Sequence, residues 1–450
     1  MIFGPGGKGE PARRPKPPKL KKDSGLHKRF AALTGSGFSL RALFGAAPKR
    51  DPGAEELVIK AVQMILEEAV RHEASDIHIE PMADVLRVRF RIDGLLEEAL
   101  EIPKELNLHI NSRVRVLCGL DPEQSASVAK PQDGRMVLKF EEREVDVRLA
   151  TFPTIHGDKV VLRLMGRDAQ VPDLWQLGLE PAKIQALCPL VERPQGMVVV
   201  TGPAGSGKTT TLYAILQTLN NDWRNIVTLE DPVEMRLHGV SQSAVQSKTG
   251  FTFAAGLRAV LRQDPNVIMV GEIRDRETME IAMTASLTGH LLFSSLHTNS
   301  AVGALTRLLD MGMEPYMVAS SLSAVLAQRL ARRVCSSCRA PAPPSVEVLR
   351  QLEDLCARAG IPAGDRRWDR LAAGKGCEAC RQTGYQGRVL LLELLHMSQA
   401  LRELVLQKAS VGELQKTAER EGMEPLLADG LRKVLAGTTT LVEVMRVVGA

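Results

Sequence analysis

The 450-residue sequence predicts an α/β protein, in which a nucleotide domain built on a parallel sheet follows a smaller α+β domain. Three observations carry that expectation. Gly202-Pro203-Ala204-Gly205-Ser206-Gly207-Lys208-Thr209 fills every fixed position of the phosphate-loop pattern G-x-x-x-x-G-K-[ST]. Apolar runs at 226–229, 267–270 and 291–293 recur between helical segments, as in strands buried on both faces. Residues 85–92 alternate basic and apolar side chains, as in a half-buried strand.

The composition fits several soluble domains. Hydrophobic residues make up 44% and charged residues 25%, enough for a core under a well-solvated surface. Aromatics are only 4%, too few for stacking platforms on single-stranded nucleic acid. The longest stretch without Asp, Glu, Lys or Arg is 281–306, but His290, His297, Asn299 and many hydroxyls make it unfit for lipid. The first residues have no apolar signal-peptide core. Both absences point to the cytoplasm. The net charge of +5 is uneven: residues 1–50 hold 12 Lys/Arg against Glu10 and Asp23, so the remainder is mildly acidic.

Taken in order, residues 1–53 are rich in Pro, Gly and basic side chains without a hydrophobic period, the composition of a disordered tail. It reads as a solvated leader or as a tether to an acidic partner or anionic lipid. Within it, Leu26, Phe30, Leu33, Phe38, Leu40, Leu43 and Phe44 could form a short amphipathic anchor.

The α+β domain spans 54–166. Helical spacing runs from Ala54 to His72. A short strand at 77–79 and the alternating strand at 85–92 follow, closed by the Asp93-Gly94 turn. Next come a helix near 104–118, a hairpin from 134–140 and 144–150, and a last strand at 159–165. The basic face of Arg87, Arg89 and Arg91 either is solvated or meets phosphate from a neighbouring subunit. Residues 167–181, with Pro172 and Pro181, read as a linker.

The nucleotide domain is expected at 182–334. Residues 197–200 form a strand and 210–219 a helix around the phosphate loop. Gly202, Gly205 and Gly207 let the backbone turn its amides inward, and the helix dipole adds positive potential. Lys208 reaches the β- and γ-phosphates of ATP, and the Thr209 hydroxyl holds Mg²⁺. Ligands of parallel sheets sit at the carboxyl ends of strands. Glu230, Glu272 and His297 follow three such strands and should therefore converge on the loop, although far apart in sequence. One acid assists Mg²⁺ and the other the attacking water. His290 and His297 could sense the γ-phosphate or be satisfied core histidines. Enzymes of this kind often borrow a cation from a neighbour. Arg87, Arg89, Arg91, Arg148 and Arg163 are candidates, which predicts a ring of subunits.

Cys335-x-x-Cys338 and Cys377-x-x-Cys380 have the spacing of a tetrathiolate Zn²⁺ site, with a redox pair as the alternative. Four thiolates leave no open coordination position, so this zinc is structural. The 335–386 module must fold back to bring the pairs together. Residues 387–450 form a C-terminal region, helical from 399 onward with turns at Gly422 and Gly437.

At these residues the chain resembles the hexameric secretion ATPases of type II secretion and type IV pilus assembly. The resemblance covers 54–450. It rests on Ser75–Pro81, on 87–94, on the phosphate loop, on 229–234, on 261–275, on Thr288-Gly289-His290 and Leu296-His297-Thr298-Asn299, and on the cysteine pairs. It implies a RecA-like ATPase domain behind a PAS-like domain. Glu230 would be the general base, Glu272 the Mg²⁺-side acid and His297 a residue near the γ-phosphate. Arginines of the front domain would clamp nucleotide, with Thr210, Arg87, Arg89, Arg148 and His290 completing the site. The implied partners are a membrane platform protein and a membrane-anchored docking protein. The zinc module implies assembly or secretion rather than retraction. Two stretches depart from the family pattern: Asn266 replaces the usual Asp, and Arg388–Glu393 replaces a Gly-Ile-Tyr-Glu stretch. A basic tail stands where many relatives carry an extra folded docking domain.

The expectation is therefore a cytoplasmic hexameric ATPase, peripheral to the inner membrane, that works on a secretion pseudopilus or a pilus. A nucleotide-dependent docking module with little turnover is the alternative. Nucleic-acid translocation is disfavoured by the acidic body and scarce aromatics.

Overall fold

In the computed structural model the described residues are 52–121, 130–166 and 171–449 except 363, 365 and 367, together with Leu26, Arg29, Phe30 and Ala32. They form two units, divided after Gly166.

The first unit opens with α1 (Pro52–Arg71), whose Val58, Ala61, Val62, Ile65 and Ala69 recur at helical spacing and are buried. Six antiparallel strands follow: β1 (Asp76–Pro81), β2 (Val85–Ile92), β3 (Leu95–Pro103), β4 (Gln132–Phe140), β5 (Arg143–Thr154) and β6 (Gly157–Gly166), in the order β3-β2-β1-β6-β5-β4. Helix α2 (Asn107–Leu117) lies between β3 and β4 in sequence and enters through a 3₁₀ turn at Lys104–Leu106. In β2 the side chains of Leu86, Val88, Phe90 and Ile92 are buried with α1 in one core, so the alternation does select the sheet face. Asp93 and Gly94 both have positive φ, as a two-residue hairpin turn requires. β3 is not among the strands the sequence predicts, because Glu97, Glu98 and Glu101 interrupt its apolar pattern. Leu26 and Phe30 of the basic stretch are buried in this same core, and Arg29 pairs with Glu68 at 3.1 Å. The other residues of the proposed anchor, Leu33, Phe38, Leu40, Leu43 and Phe44, lie outside the described residues.

In the second unit α3 (Pro181–Val191) precedes β7 (Gly196–Thr201) and α4 (Lys208–Leu219). Next come β8 (Ile226–Glu230), β9 (Ser241–Ala244), α5 (Phe253–Val260), β10 (Val267–Val270), α6 (Arg276–Leu287), β11 (Leu291–Leu296), α7 (Ala301–Asp310), α8 (Pro315–Ser321) and β12 (Leu322–Val334). The sheet order is β12-β7-β11-β10-β8-β9, all parallel, with β15 (Tyr385–His396) added antiparallel outside β12. Met197 and Val199 pack into one layer and Val198 and Val200 into the other. That two-sided burial explains the unbroken apolar runs.

Between β12 and β15 the chain forms β13 (Arg339–Pro341), α9 (Val346–Arg358) and β14 (Ala372–Gly374). After β15 come α10 (Gln399–Leu406), α11 (Val411–Arg420), α12 (Leu426–Leu435) and α13 (Leu441–Val448), with Gly422 and Gly437 between helices as the sequence predicts. The strand β15 is unpredicted; its Val-Leu-Leu-Leu run has no alternation that distinguishes strand from helix.

Candidate functional site

The phosphate loop joins β7 to α4. Gly202, Gly205 and Gly207 all have positive φ, and Pro203, Ala204 and Gly205 are exposed. Helix α4 starts at Gly207 in a left-handed conformation with no side-chain cap, whereas α5, α6 and α7 are capped by Thr252, Asp275 and Ser300. Its first-turn amides, including those of Thr209 and Thr210, are thus left for a ligand at the loop. This cradle fits a triphosphate. The Lys208 ammonium donates to the carbonyls of Gly202 at 2.9 Å and Pro203 at 3.1 Å, folded back over the loop. Burial lowers its pKa, and Glu272 opposes that shift.

Two predicted site residues meet Lys208 directly or in one step. Nδ1 of His297 is 3.5 Å from Lys208 Nζ, and its Nε2 is 3.4 Å from Glu272 Oε2. Glu272 also pairs with Arg274. Parallel register does this: β10 and β11 are neighbours, so their carboxyl-terminal residues emerge side by side.

Glu230 ends β8 and is 3% exposed. The Tyr213 hydroxyl of α4 donates to Oε2, while Thr228 Oγ1 (2.6 Å) and Gln242 Nε2 (3.1 Å) donate to Oε1. The Cα of Gly271, just before Glu272, lies against Glu230: a side chain there would reach the Glu230 Cα at 3.5 Å. Burial and the Glu230 charge raise the Tyr213 pKa, so the phenol stays a donor. Both carboxylate oxygens are occupied, so Glu230 must release a partner to take a proton. Tyr213 and Gln242 are functional candidates the sequence reading missed, because each acts across strands and helices with no motif of its own.

His290 is placed elsewhere. It precedes β11, its Nδ1 lies 3.1 Å from the Ala285 carbonyl, and its own carbonyl accepts from Gly196 at the start of β7. It is therefore separated from the phosphate loop by the length of a strand, roughly 20 Å for six residues. Within one chain the structure does not bring His290 to the other site residues.

The arginines belong to the first unit. Glu80 on β1 accepts from Arg87 (3.1 Å), Arg89 (2.8 Å) and Lys159 (2.9 Å). Asp76 pairs with Arg91 at 3.3 Å and Arg163 at 3.1 Å. Arg148 lies opposite Arg163 in the β5–β6 pairing. The basic face is thus pre-neutralised by two buried acids rather than simply solvated.

The four cysteines come together as the spacing predicts. Cys335 follows β12 and Cys380 precedes β15, and the pairing of these strands closes the intervening loop at its stem. Sulfur separations are 3.8 Å (Cys335–Cys377), 3.7 Å (Cys338–Cys380) and 3.6 Å (Cys377–Cys380), with all four within 4.8 Å. A tetrahedral site with Zn–S near 2.3 Å requires about 3.8 Å between sulfurs, so the donor set fits zinc. Burial works against the Cys380 thiolate, but the amides of Cys377 and Gly384 overcome it and lower its pKa to about 6. A thiol readied for ionisation suits a metal ligand.

The model of the type II/IV secretion system protein family matches residues 52–446. The chain belongs to this family. Curated relatives include the type II secretion system protein E of Pseudomonas aeruginosa, 46% identical over 94% of this chain and 83% of that protein. The type II secretion system ATPase E of Vibrio cholerae is 46% identical over 87% of this chain and 75% of its own length. The type IV pilus assembly ATPase PilB of Myxococcus xanthus is 45% identical over 86% of this chain and 67% of its own. Among solved structures, the pilus retraction motor PilT with bound ADP superposes with a TM-score of 0.56 at 26% identity, covering 85% of this chain and 95% of that one. The Legionella pneumophila ATPase DotB shares the fold, with a TM-score of 0.62, 20% identity, and coverage of 90% and 97%. As a secretion-type ATPase, the protein uses ATP and Mg²⁺. No helix among the described residues is long and apolar enough to cross a membrane.

Proposed function

We propose that this secretion ATPase works as a homo-hexameric motor on the cytoplasmic side of an inner membrane, powering assembly of a type II secretion pseudopilus or a type IV pilus. The convergence of Lys208, Glu272 and His297, with Glu230 beside them, carries the reading: four groups from separate strand ends gather at one uncapped helix start.

In this reading the loop 202–207 and the amides of Thr209 and Thr210 hold the phosphates, and Lys208 leaves its two carbonyl partners to reach them. Thr209 and Glu272 are the groups that would hold Mg²⁺, which when bound neutralises charge on the phosphate oxygens. Glu230 accepts the proton of the attacking water once a donor withdraws. His297 sits between Glu272 and Lys208, suited to follow the terminal phosphate. Arg87, Arg89 and Arg148 supply cations when the first unit of the same or a neighbouring chain closes over the nucleotide. Cys335, Cys338, Cys377 and Cys380 hold one structural zinc. The working partners are a membrane platform protein and a membrane-anchored docking protein, with no specific nucleic acid.

The test is Glu230→Gln, which keeps size and hydrogen bonding but not basicity. Turnover should fall by about 10²-fold or more while ATP binding persists. Turnover close to wild type would remove Glu230 from the base role.

A further inference from the structure

His297 is 54% exposed and its contacts to Lys208 and Glu272 are long, yet the loop that carries it is pinned at three successive points. At the first, the amide of Thr298 donates to Thr201 Oγ1 at 2.9 Å, at the base of the phosphate loop. At the second, Nη2 of Arg329 donates to the Asn299 carbonyl at 3.0 Å and to its side-chain oxygen at 3.3 Å. At the third, the amide of Ala301, the first residue of α7, donates to Oε1 of Glu393 at 2.6 Å.

Arg329 and Glu393 stand on paired strands, β12 and β15, and both are buried. Burial lowers the pKa of Arg329 and raises that of Glu393, while each charge opposes the shift of the other. The residue before Arg329 grips the other half of the site. Gln328 is fully buried, and its Nε2 donates to the Ser206 carbonyl of the phosphate loop at 2.8 Å. Gly202 packs so tightly on β12 that a side chain there would approach the Gln328 carbonyl to 2.6 Å. One dipeptide of β12 therefore holds the phosphate loop with Gln328 and the histidine loop with Arg329.

From this arrangement we propose that Arg329 is a positioning residue for the hydrolytic step: it fixes the 297–300 loop so that His297 stays aligned with Lys208 and Glu272. A buried guanidinium with a forked donor set suits this task, since two donors from one rigid plane define the orientation of the accepting backbone. Displacing a reacting group by about 1 Å costs up to about 100-fold in rate while binding is spared. The inference rests on the role given to His297 above.

The experiment uses the full-length, zinc-loaded assembly and four proteins: wild type, Arg329→Gln, His297→Ala and the double variant. Arg329→Gln should lower kcat by about tenfold or more with ATP-analogue affinity within about twofold of wild type. The double variant should be no slower than His297→Ala, because a loop without its imidazole has nothing left to align. If Arg329→Gln slows the His297→Ala protein by the same factor as it slows wild type, Arg329 acts independently and the proposal fails. Loss of affinity with unchanged kcat overturns it equally. If His297→Ala turns over at the wild-type rate, the role of His297 itself fails and this inference goes with it. Should Arg329→Gln not fold, judged by zinc content and melting, Arg329→Lys carries the same comparison. It keeps the charge and loses the fork, so it is expected between wild type and Gln in kcat.

Discussion

Glu80 illustrates what one buried carboxylate does for a basic surface. Burial alone would raise its pKa, but Arg89 and Lys159 outweigh that and hold it at about 2. Its ordinary value is near 4.5, so the folded state favours the ionised form. The stability it contributes is therefore present above about pH 4.5 and disappears as pH falls from there toward 2. Glu80→Gln should melt below wild type at pH 7, with a gap that closes on acidification to pH 3 and below. A gap that stays constant across that range would show that the carboxylate charge is not what holds the three cations. The arginine stripe was legible in the sequence because strand side chains alternate strictly. Its counter-charge was not, since the partner of Arg87 is set by the pairing of β1 with β2, a tertiary fact. Tyr213 was hidden for the same reason: it lies in an ordinary helical stretch, and only the fold brings it to Glu230.

At the scale of elements, the antiparallel pair β12–β15 links the two chemistries of the second unit. At one end it holds the phosphate and histidine loops, and at the other it carries the cysteine cluster. The zinc ligands were readable because C-x-x-C spacing is a local signal, and the parallel strands were readable because burial on both faces leaves continuous apolar runs. β15 was not, because a leucine-rich run of that length suits a buried helix equally well. The turn just before β15 depends on Gly384, with φ +78° and room for no side chain: a Cβ would lie 2.6 Å from the Gly374 carbonyl oxygen. Gly384 also offers its amide to the Cys380 sulfur at 3.3 Å. Gly384→Ala should therefore lower bound zinc below about one per chain and bring the melting of the purified protein down toward that of the chelated protein. Metal content and melting both equal to wild type would mean that the turn can relax without moving the sulfurs.

For the whole molecule, the sequence motifs located the acids and Lys208 correctly relative to one another because a parallel sheet delivers every strand end to the same edge. His290 shows the limit of that reasoning. It belongs to the same sequence stretch as His297, but it sits at the opposite end of β11, where a strand begins rather than ends. The same limit applies to the cations: Arg87, Arg89 and Arg148 are in a different unit from the phosphate loop, so sequence order says nothing about which chain they serve. A ring supplies a physical answer, since each phosphate loop then faces the first unit of an adjacent subunit. This arrangement makes a definite prediction for mixtures. Lys208→Ala destroys the loop of its own chain but leaves its arginines intact, whereas Arg89→Ala does the reverse. Each variant alone should turn over slowly. If the cations act between subunits, mixed assemblies should regain activity, because some intact loops then meet intact arginines from a neighbour. The recovery should grow with protein concentration as rings form, checked by steady-state phosphate release alongside light scattering. Mixed assemblies that stay as slow as the separate variants would place Arg89 over the nucleotide of its own chain, and closure of the two units within one subunit would then be the event that completes the site.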